Sequence, residues 1–216
     1  ANFLKNALPI TTKGAKNSII LKYNKSLLKE EYLLNISEEQ IIIESSTGAG
    51  QIHAIQSLIQ LIPTKYNKNT LNIPIKCVEI HDFPRFQWRG MLLDCCRHFM
   101  DKEFIKKNID LLSYHKMNIL HWHLTEDQGW RIAIDKYPNL TKIGAWRKEK
   151  DGSIYGGFYS KNDIKEIVEY AKKRHIEIIP EIELPGHCVA AIASYPYLSC
   201  SGDSISVEND WGVFKD

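Results

Sequence analysis

From Phe86 onward the chain repeats one rhythm: a short apolar run, a polar loop, an amphipathic helical stretch, then another apolar run. Nothing else in the sequence constrains the fold as strongly. Strands separated by helices are expected to pair in parallel through right-handed crossovers. The candidate buried strands are residues 88–94, 117–124 and 176–182. Asp101 stands where it would cap a helix reaching about His115, with Phe104, Ile105, Ile109 and Leu112 on one face. Ser160-Lys161-Asn162-Asp163 has the form of a capping box and opens a second helix reaching about Arg174. Three βα units in this order fit either a doubly wound sheet or the opening of a (β/α)8 barrel. No Gly-rich phosphate loop follows any of the strands, which argues against a nucleotide-binding fold.

The first 82 residues read differently and suggest a separate small α/β domain, leaving 83–216 to the βα units. Residues 18–23 and 40–44 are β-branched runs bounded by polar turns. Thr47-Gly48-Ala49-Gly50 opens a helix over 51–61, in which Ile52, Ile55, Leu58, Ile59 and Ile62 recur at helical spacing. Pro63 stops it. Residues 69–80 read as extended, and His81-Asp82-Phe83-Pro84 as a closing turn.

Charge and composition exclude several partners. Lys and Arg number 28 against 26 Asp and Glu, a net +2, so neither nucleic acid nor an acidic membrane surface is expected. No run approaches the ~18 apolar residues that a membrane span needs. The start, Ala1-Asn2-Phe3-Leu4-Lys5, lacks Met and an apolar signal core, so a targeting peptide is expected to be absent or already removed. Five cysteines form no CxxC pair, which fits buried or partly buried free thiols rather than a zinc ribbon or a disulfide scaffold.

Polar residues gather at the carboxyl ends of the three strands, where both parallel architectures place their active sites. The first strand ends in Asp94-Cys95-Cys96-Arg97-His98. The second carries His121-Trp122-His123 and leads into Thr125-Glu126-Asp127-Gln128-Gly129-Trp130. The third carries Glu181 and Glu183, followed by Pro185-Gly186-His187. His121 and His123 share a strand face and could ligate a metal, giving a metal-dependent hydrolase with His187 as a further ligand. The competing reading, two hydrogen-bonded barrel-interior histidines, is favoured because no clear Cys, His or Asp partner set accompanies them. Singly, Arg97 could cap a strand, Glu126-Asp127 a turn, and His187 could merely follow one. Their shared location raises them above that.

Trp88-Arg89-Gly90-Met91-Leu92-Leu93-Asp94 through Arg97-His98-Phe99 resembles the first barrel strand of the family-20 glycoside hydrolases, the β-N-acetylhexosaminidases. Lys116-Met117-Asn118 through His121-Trp122-His123-Leu124-Thr125-Glu126-Asp127-Gln128-Gly129-Trp130-Arg131 resembles the second. Tyr155-Gly156-Gly157-Phe158-Tyr159-Ser160 and Ile179-Pro180-Glu181-Ile182-Glu183-Leu184-Pro185-Gly186-His187 are similar to the segments around the third. The first eighty residues resemble the small domain that precedes that barrel.

The resemblance implies roles for four residues. Arg97 binds hydroxyls of the terminal sugar, and Asp127 is assigned with it to substrate binding. Glu126 pairs with His187, and that couple supports the general acid through a hydrogen-bond chain. It also implies a retaining, substrate-assisted mechanism, an exception to two-carboxylate chemistry, with no metal and no cofactor. The substrate acetamido oxygen attacks the anomeric carbon, an Asp orients the acetamido group, and the adjacent Glu protonates the leaving oxygen. That Asp-Glu pair belongs to the end of a fourth strand and is not among these 216 residues. The intact enzyme is therefore expected to remove terminal β-linked GlcNAc or GalNAc from glycans or chito-oligosaccharides, and the chain alone to be inactive. A non-catalytic carbohydrate-binding piece is the other expectation. Family habit implies an extracytoplasmic setting: periplasmic, secreted or lysosomal.

Overall fold

The computed structural model describes residues 18–63, 73–212 and 214. The chain divides into two units, Ala1–Trp88 with Ser113–Lys116, and Arg89–Leu112 with Met117–Asp216.

In the first unit, β1 (Ser18–Tyr23), β2 (Tyr32–Ile36), β3 (Gln40–Ser45) and β4 (Val78–Asp82) form one sheet in the order β1-β3-β2-β4. The β1–β3 pair is parallel, and β2 runs antiparallel to both its neighbours. Tyr32, Leu34 and Ile36 alternate inward along β2 and meet Ile43, Ala54 and Leu58 in the core. Sequence reading missed this strand, because Leu33 on the opposite face blurs the alternation. Helix α1 (Gly48–Gln60) is capped by Thr47, whose side chain accepts from the Gly50 amide. A Cβ on Gly50 would come within 2.5 Å of the Glu31 carbonyl oxygen, so only glycine permits this approach.

The buried face of α1 is not the expected isoleucine stripe. It consists of Ala49, Gly50, His53, Ala54, Ser57 and Leu58, while Ile52, Ile55 and Ile59 are half-buried. Small residues let the helix backbone approach the sheet, and the larger ones flank the contact. The extended segment expected over 69–80 is also revised. Residues 69–72 lie outside the described residues, 73–77 form no regular element, and the strand starts at Val78. His81 and Asp82 continue β4, paired with Leu33 and Tyr32, rather than forming a turn.

In chain order the second unit holds β5 (Gly90–Asp94), α2 (Lys102–Tyr114), β6 (Ile119–His123), β7 (Thr125–Glu126) and β8 (Gly129–Trp130). There follow α3 (Asn139–Lys142), β9 (Trp146–Lys148), β10 (Ile154–Gly156), α4 (Lys161–Lys172), β11 (Glu177–Glu181) and α5 (Val189–Ser194). Strands β5, β6 and β11 form a parallel sheet in the order β11-β6-β5, the arrangement of the opening strands of a (β/α)8 barrel. The expected caps are present. Asp101 Oδ1 accepts from the Phe104 amide at 2.8 Å, and Ser160 and Asp163 form a reciprocal capping box.

Strand alternation gives the sheet two chemically different faces. Met91, Leu93, Leu120, Trp122 and Ile178 pack under the helices, against Ile105, Ile109, Leu112, Ile167 and Ala171. Each large side chain fully buried there stabilises the fold by about 1.5–3 kcal/mol. Leu92, Asp94, His121, His123, Ile179 and Glu181 alternate to the other face, which the register places side by side. Phe104, expected on the core face of α2, is 41% exposed. One residue before Ile105 on a helix turning ~100° per residue, it faces away.

The long loops contain structure that sequence reading left unassigned. Strands β7 and β8 form a tight hairpin whose turn residues are Asp127 and Gln128, and β9 and β10 form a second hairpin. After β11 the chain forms the six-residue α5, whose Ala190 and Ala191 join Trp130 and Leu140 in a small apolar cluster, and a 3-10 turn at Pro196–Leu198. Cys95 and Cys96 are buried free thiols and Cys188 is half-buried, but Cys77 and Cys200 are exposed, contrary to expectation. Among the described residues, no helix is long and apolar enough to cross a membrane.

Candidate active site

The register sets Asp94, His123 and Glu181 across from one another at the carboxyl ends of β5, β6 and β11. Just beyond them, the turn after β5 is built by Asp94, whose Oδ1 accepts from the amides of Cys96 (2.9 Å) and Arg97 (3.2 Å). Its Oδ2 accepts from Arg97 Nη1 at 2.6 Å. Burial pushes the Asp94 carboxyl up, but these hydrogen bonds outweigh it and hold its pKa below the ordinary value. Sequence reading gave Asp94 no role. Its signal was a carboxylate three residues before an arginine at a strand end.

Arg97 Nη2 donates to Glu126 Oε1, so two carboxylates from successive strand ends hold one guanidinium. Burial lowers the Arg97 pKa, and the Asp94 hydrogen bond and the Glu126 charge more than restore it. Glu126 is almost fully buried. Its Oε2 accepts from the Asp127 amide at 2.6 Å and lies 3.2 Å from His187 Nδ1.

His187 stands at φ 52°, a left-handed conformation that costs a non-glycine residue ~1–2 kcal/mol. The turn thereby brings its imidazole between two carboxylates. Nδ1 is 3.1 Å from Asp127 Oδ2, slightly nearer than the Glu126 oxygen. The other Asp127 oxygen accepts from the Val189 amide at 3.1 Å, at the start of α5. The hydrogen bond to Asp127, then the charge of Glu126, raises the His187 pKa, while Arg97 opposes them. Thus Arg97, Glu126, Asp127 and His187 form one cluster. His187 Nδ1 faces both carboxylates: it pairs with Glu126, the partner the resemblance implies, and also with Asp127, which the resemblance did not place there. Asp127, which the resemblance assigns to substrate binding, is buried with one oxygen against His187 and the other on the Val189 amide at the start of α5.

His121 and His123 belong to a second cluster. His121 Nε2 lies 2.7 Å from Glu181 Oε2, and His123 Nδ1 lies 3.9 Å from both that oxygen and Asp94 Oδ1. The neighbouring Glu181 carboxyl raises the pKa of Glu183. Among the described residues, the groups of side chains with metal-ligand spacing each hold a single histidine: His123 with Asp94 and Cys96 or with Glu181 and Glu183, and His187 with Glu126 and Asp127. His121, His123 and His187 therefore do not converge on one ion, as the metal-hydrolase alternative requires.

Two arginines organise this end of the sheet, and sequence reading gave neither a role. Arg131 is fully buried, and its guanidinium donates to carbonyls of Cys95, Cys96, Gln128, Ala145 and Gly157. Burial lowers its pKa. A Cβ on Gly129 would fall 2.2 Å from that guanidinium, so glycine is required in the β7–β8 turn. Arg147, on β9, donates to the Arg97 carbonyl at 2.7 Å and pairs with Glu149 at 2.8 Å. The site loops are thus tied to one another through buried cations and backbone oxygens.

Residues 86–216 match the family model described as glycosyl hydrolase family 20, catalytic domain, and residues 2–83 match glycosyl hydrolase family 20, domain 2. A beta-hexosaminidase of Porphyromonas gingivalis is 44% identical over 205 residues, covering 93% of this chain and 26% of that protein. The structure of a GH20 exo beta-N-acetylglucosaminidase from Vibrio harveyi, in complex with N-acetylglucosamine, matches with TM-score 0.79 and 45% identity, covering 83% of this chain and 29% of that one. The GH20 beta-N-acetylhexosaminidase of Streptomyces coelicolor matches with TM-score 0.88 and 34% identity, over 98% of this chain and 44% of that one. The chain spans less than half the length of these relatives. With both family models matched in order and the barrel strands carrying the expected motifs, the chain belongs to glycosyl hydrolase family 20.

Proposed function

We propose that the protein to which this chain belongs hydrolyses terminal, non-reducing β-linked N-acetylhexosamine residues by a retaining, substrate-assisted mechanism. The observation that carries the reading is the convergence of Arg97, Glu126, Asp127 and His187 at successive strand ends of a family-20 barrel. In this reading Arg97 presents its free N–H edges to sugar hydroxyls, a task suited to a rigid fork of donors. Glu126 holds that fork from one side and faces His187 from the other. If Nδ1–H of His187 donates to the carboxylates, Nε2 is left to hydrogen-bond the general acid. The acid and its acetamido-orienting Asp are assigned to sequence outside these 216 residues, so the chain alone is read as lacking turnover.

The substrates are N-acetylhexosamine-terminated glycans or chito-oligosaccharides, and the compartment is extracytoplasmic. An assay of the intact gene product with chromogenic N-acetyl-β-glucosaminide and N-acetyl-β-galactosaminide tests the activity. NMR of the anomeric product formed first tests retention, and cell fractionation tests the compartment. An intact protein inactive on both glycosides, or one that releases the inverted anomer, sinks the mechanism.

A further inference from the structure

We propose that Trp211 is a positioning residue of this site, acting through Arg97 to fix the guanidinium that receives the terminal sugar. The proposal rests on the sugar-binding reading of Arg97. The Arg97 guanidinium carbon lies 4.9 Å from the centroid of the Trp211 ring, within the range of a cation–π contact. Asp94 and Glu126 hold the two terminal nitrogens by their edges. Edge contacts alone leave the guanidinium free to tilt about the two carboxylates, and the attraction between the cation and the indole ring, which weakens as they separate, opposes that motion.

The backbone that carries Trp211 is anchored to the site itself. The Glu208 amide donates to the Asp127 carbonyl at 3.3 Å, and Asn209 Nδ2 to the Lys148 carbonyl at 2.8 Å. Gln128 Nε2 donates to the Asp210 carbonyl at 2.7 Å, Lys150 pairs with the Asp210 carboxylate at 2.8 Å, and that carboxylate accepts from the Trp211 amide at 3.0 Å. Three successive residues, Glu208, Asn209 and Asp210, are thus tied to the β7–β8 turn and the β9–β10 hairpin, and the Trp211 amide is held by the third. The indole is 72% exposed, so packing does not explain its placement, and its replacement should leave the fold intact.

The test uses the intact gene product with Trp211→Leu and Trp211→Phe, each with Arg97 and with Arg97→Gln. Trp211→Leu is expected to raise KM for a chromogenic N-acetyl-β-glucosaminide about three- to fivefold, the upper range of an exposed cation–π contact, with kcat changed less than about twofold. Trp211→Phe is expected to recover most of that loss. In the Arg97→Gln background Trp211→Leu is expected to add less than about twofold, and equal effects in both backgrounds overturn the proposal.

A second readout needs no substrate. The fluorescence difference between the parent protein and its Trp211→Phe variant is expected to shift when Arg97 becomes Gln, and an unshifted difference overturns the contact. An intact protein that neither turns over the glycoside nor binds GlcNAc by calorimetry overturns the reading of the site, and this proposal with it. An active protein with uncoupled Trp211 and Arg97 overturns the proposal alone.

Discussion

Nδ1 of His187 lies 3.1 Å from Oδ2 of Asp127, in the turn between β7 and β8. This contact, more than the neighbouring Glu126, raises the imidazole pKa. A group whose pKa is higher folded than unfolded binds protons more tightly in the fold. Its stabilising contribution is therefore complete below the unfolded histidine value, ~6.5, and fades as pH rises through the folded value. NMR titration in the intact protein should place His187 above an unperturbed histidine. Asp127→Asn should lower it most and Glu126→Gln less, and a titration unchanged in both variants would count against the cluster.

Replacing Arg97 with Lys keeps the charge but loses the planar fork that spans Asp94 and Glu126. Loss of one charged hydrogen bond costs ~1.5–3 kcal/mol, so kcat/KM of the intact enzyme should fall about ten- to a hundredfold. Steady-state kinetics on the chromogenic glycoside check this. Parent-like constants would remove Arg97 from substrate binding.

Arg131 bears on stability rather than on substrate. Its guanidinium donates to five buried carbonyls, and Arg131→Met would remove all of these bonds, while the Ala145 carbonyl keeps the Gly157 amide and that of Gln128 keeps Arg147. A loss of ~3 kcal/mol or more is expected, and Arg131→Lys should recover only a minor part because a single ammonium cannot span the set. Urea unfolding of the intact protein measures both, with exposed Lys161→Ala as a control expected to stay within ~0.5 kcal/mol.

The isolated 216-residue chain should not turn over a chromogenic N-acetyl-β-glucosaminide, while the intact product should. Among the described residues β5 and β11 each have one strand neighbour, and Leu92 is 51% exposed on the open sheet face. Such edges and apolar surface favour association, so light scattering on heating should detect aggregation. Turnover by the chain within tenfold of the intact enzyme would place the acid among these residues.

Much of this was legible locally. The caps at Asp101 and Ser160 lie within a few residues of the amides they satisfy, and the parallel order followed from strand–helix alternation. Arg97, Glu126, Asp127 and His187 could be grouped because each follows a strand end. What stayed hidden depends on residues far apart in sequence. Which face of α1 is buried depends on how closely its small residues approach the sheet, and spacing alone ranked the isoleucines first. That Asp127 joins Glu126 beside His187 depends on a two-residue turn and a left-handed backbone. Arg131 looked like the last polar residue of a motif, since its partners at 95, 96, 145 and 157 are brought to it only by the fold.

The single guanidinium of Arg131 also bears on how such a site can diversify. Segments around Cys95, Gln128, Ala145 and Gly157 share one set of donors, so none can be lengthened or re-aimed without unseating the others. Variation is left to the parts outside this ring, such as the exposed tip of the β9–β10 hairpin around Asp151 and Gly152. A change in what this site recognises would then come by exchanging loop tips around a shared collar.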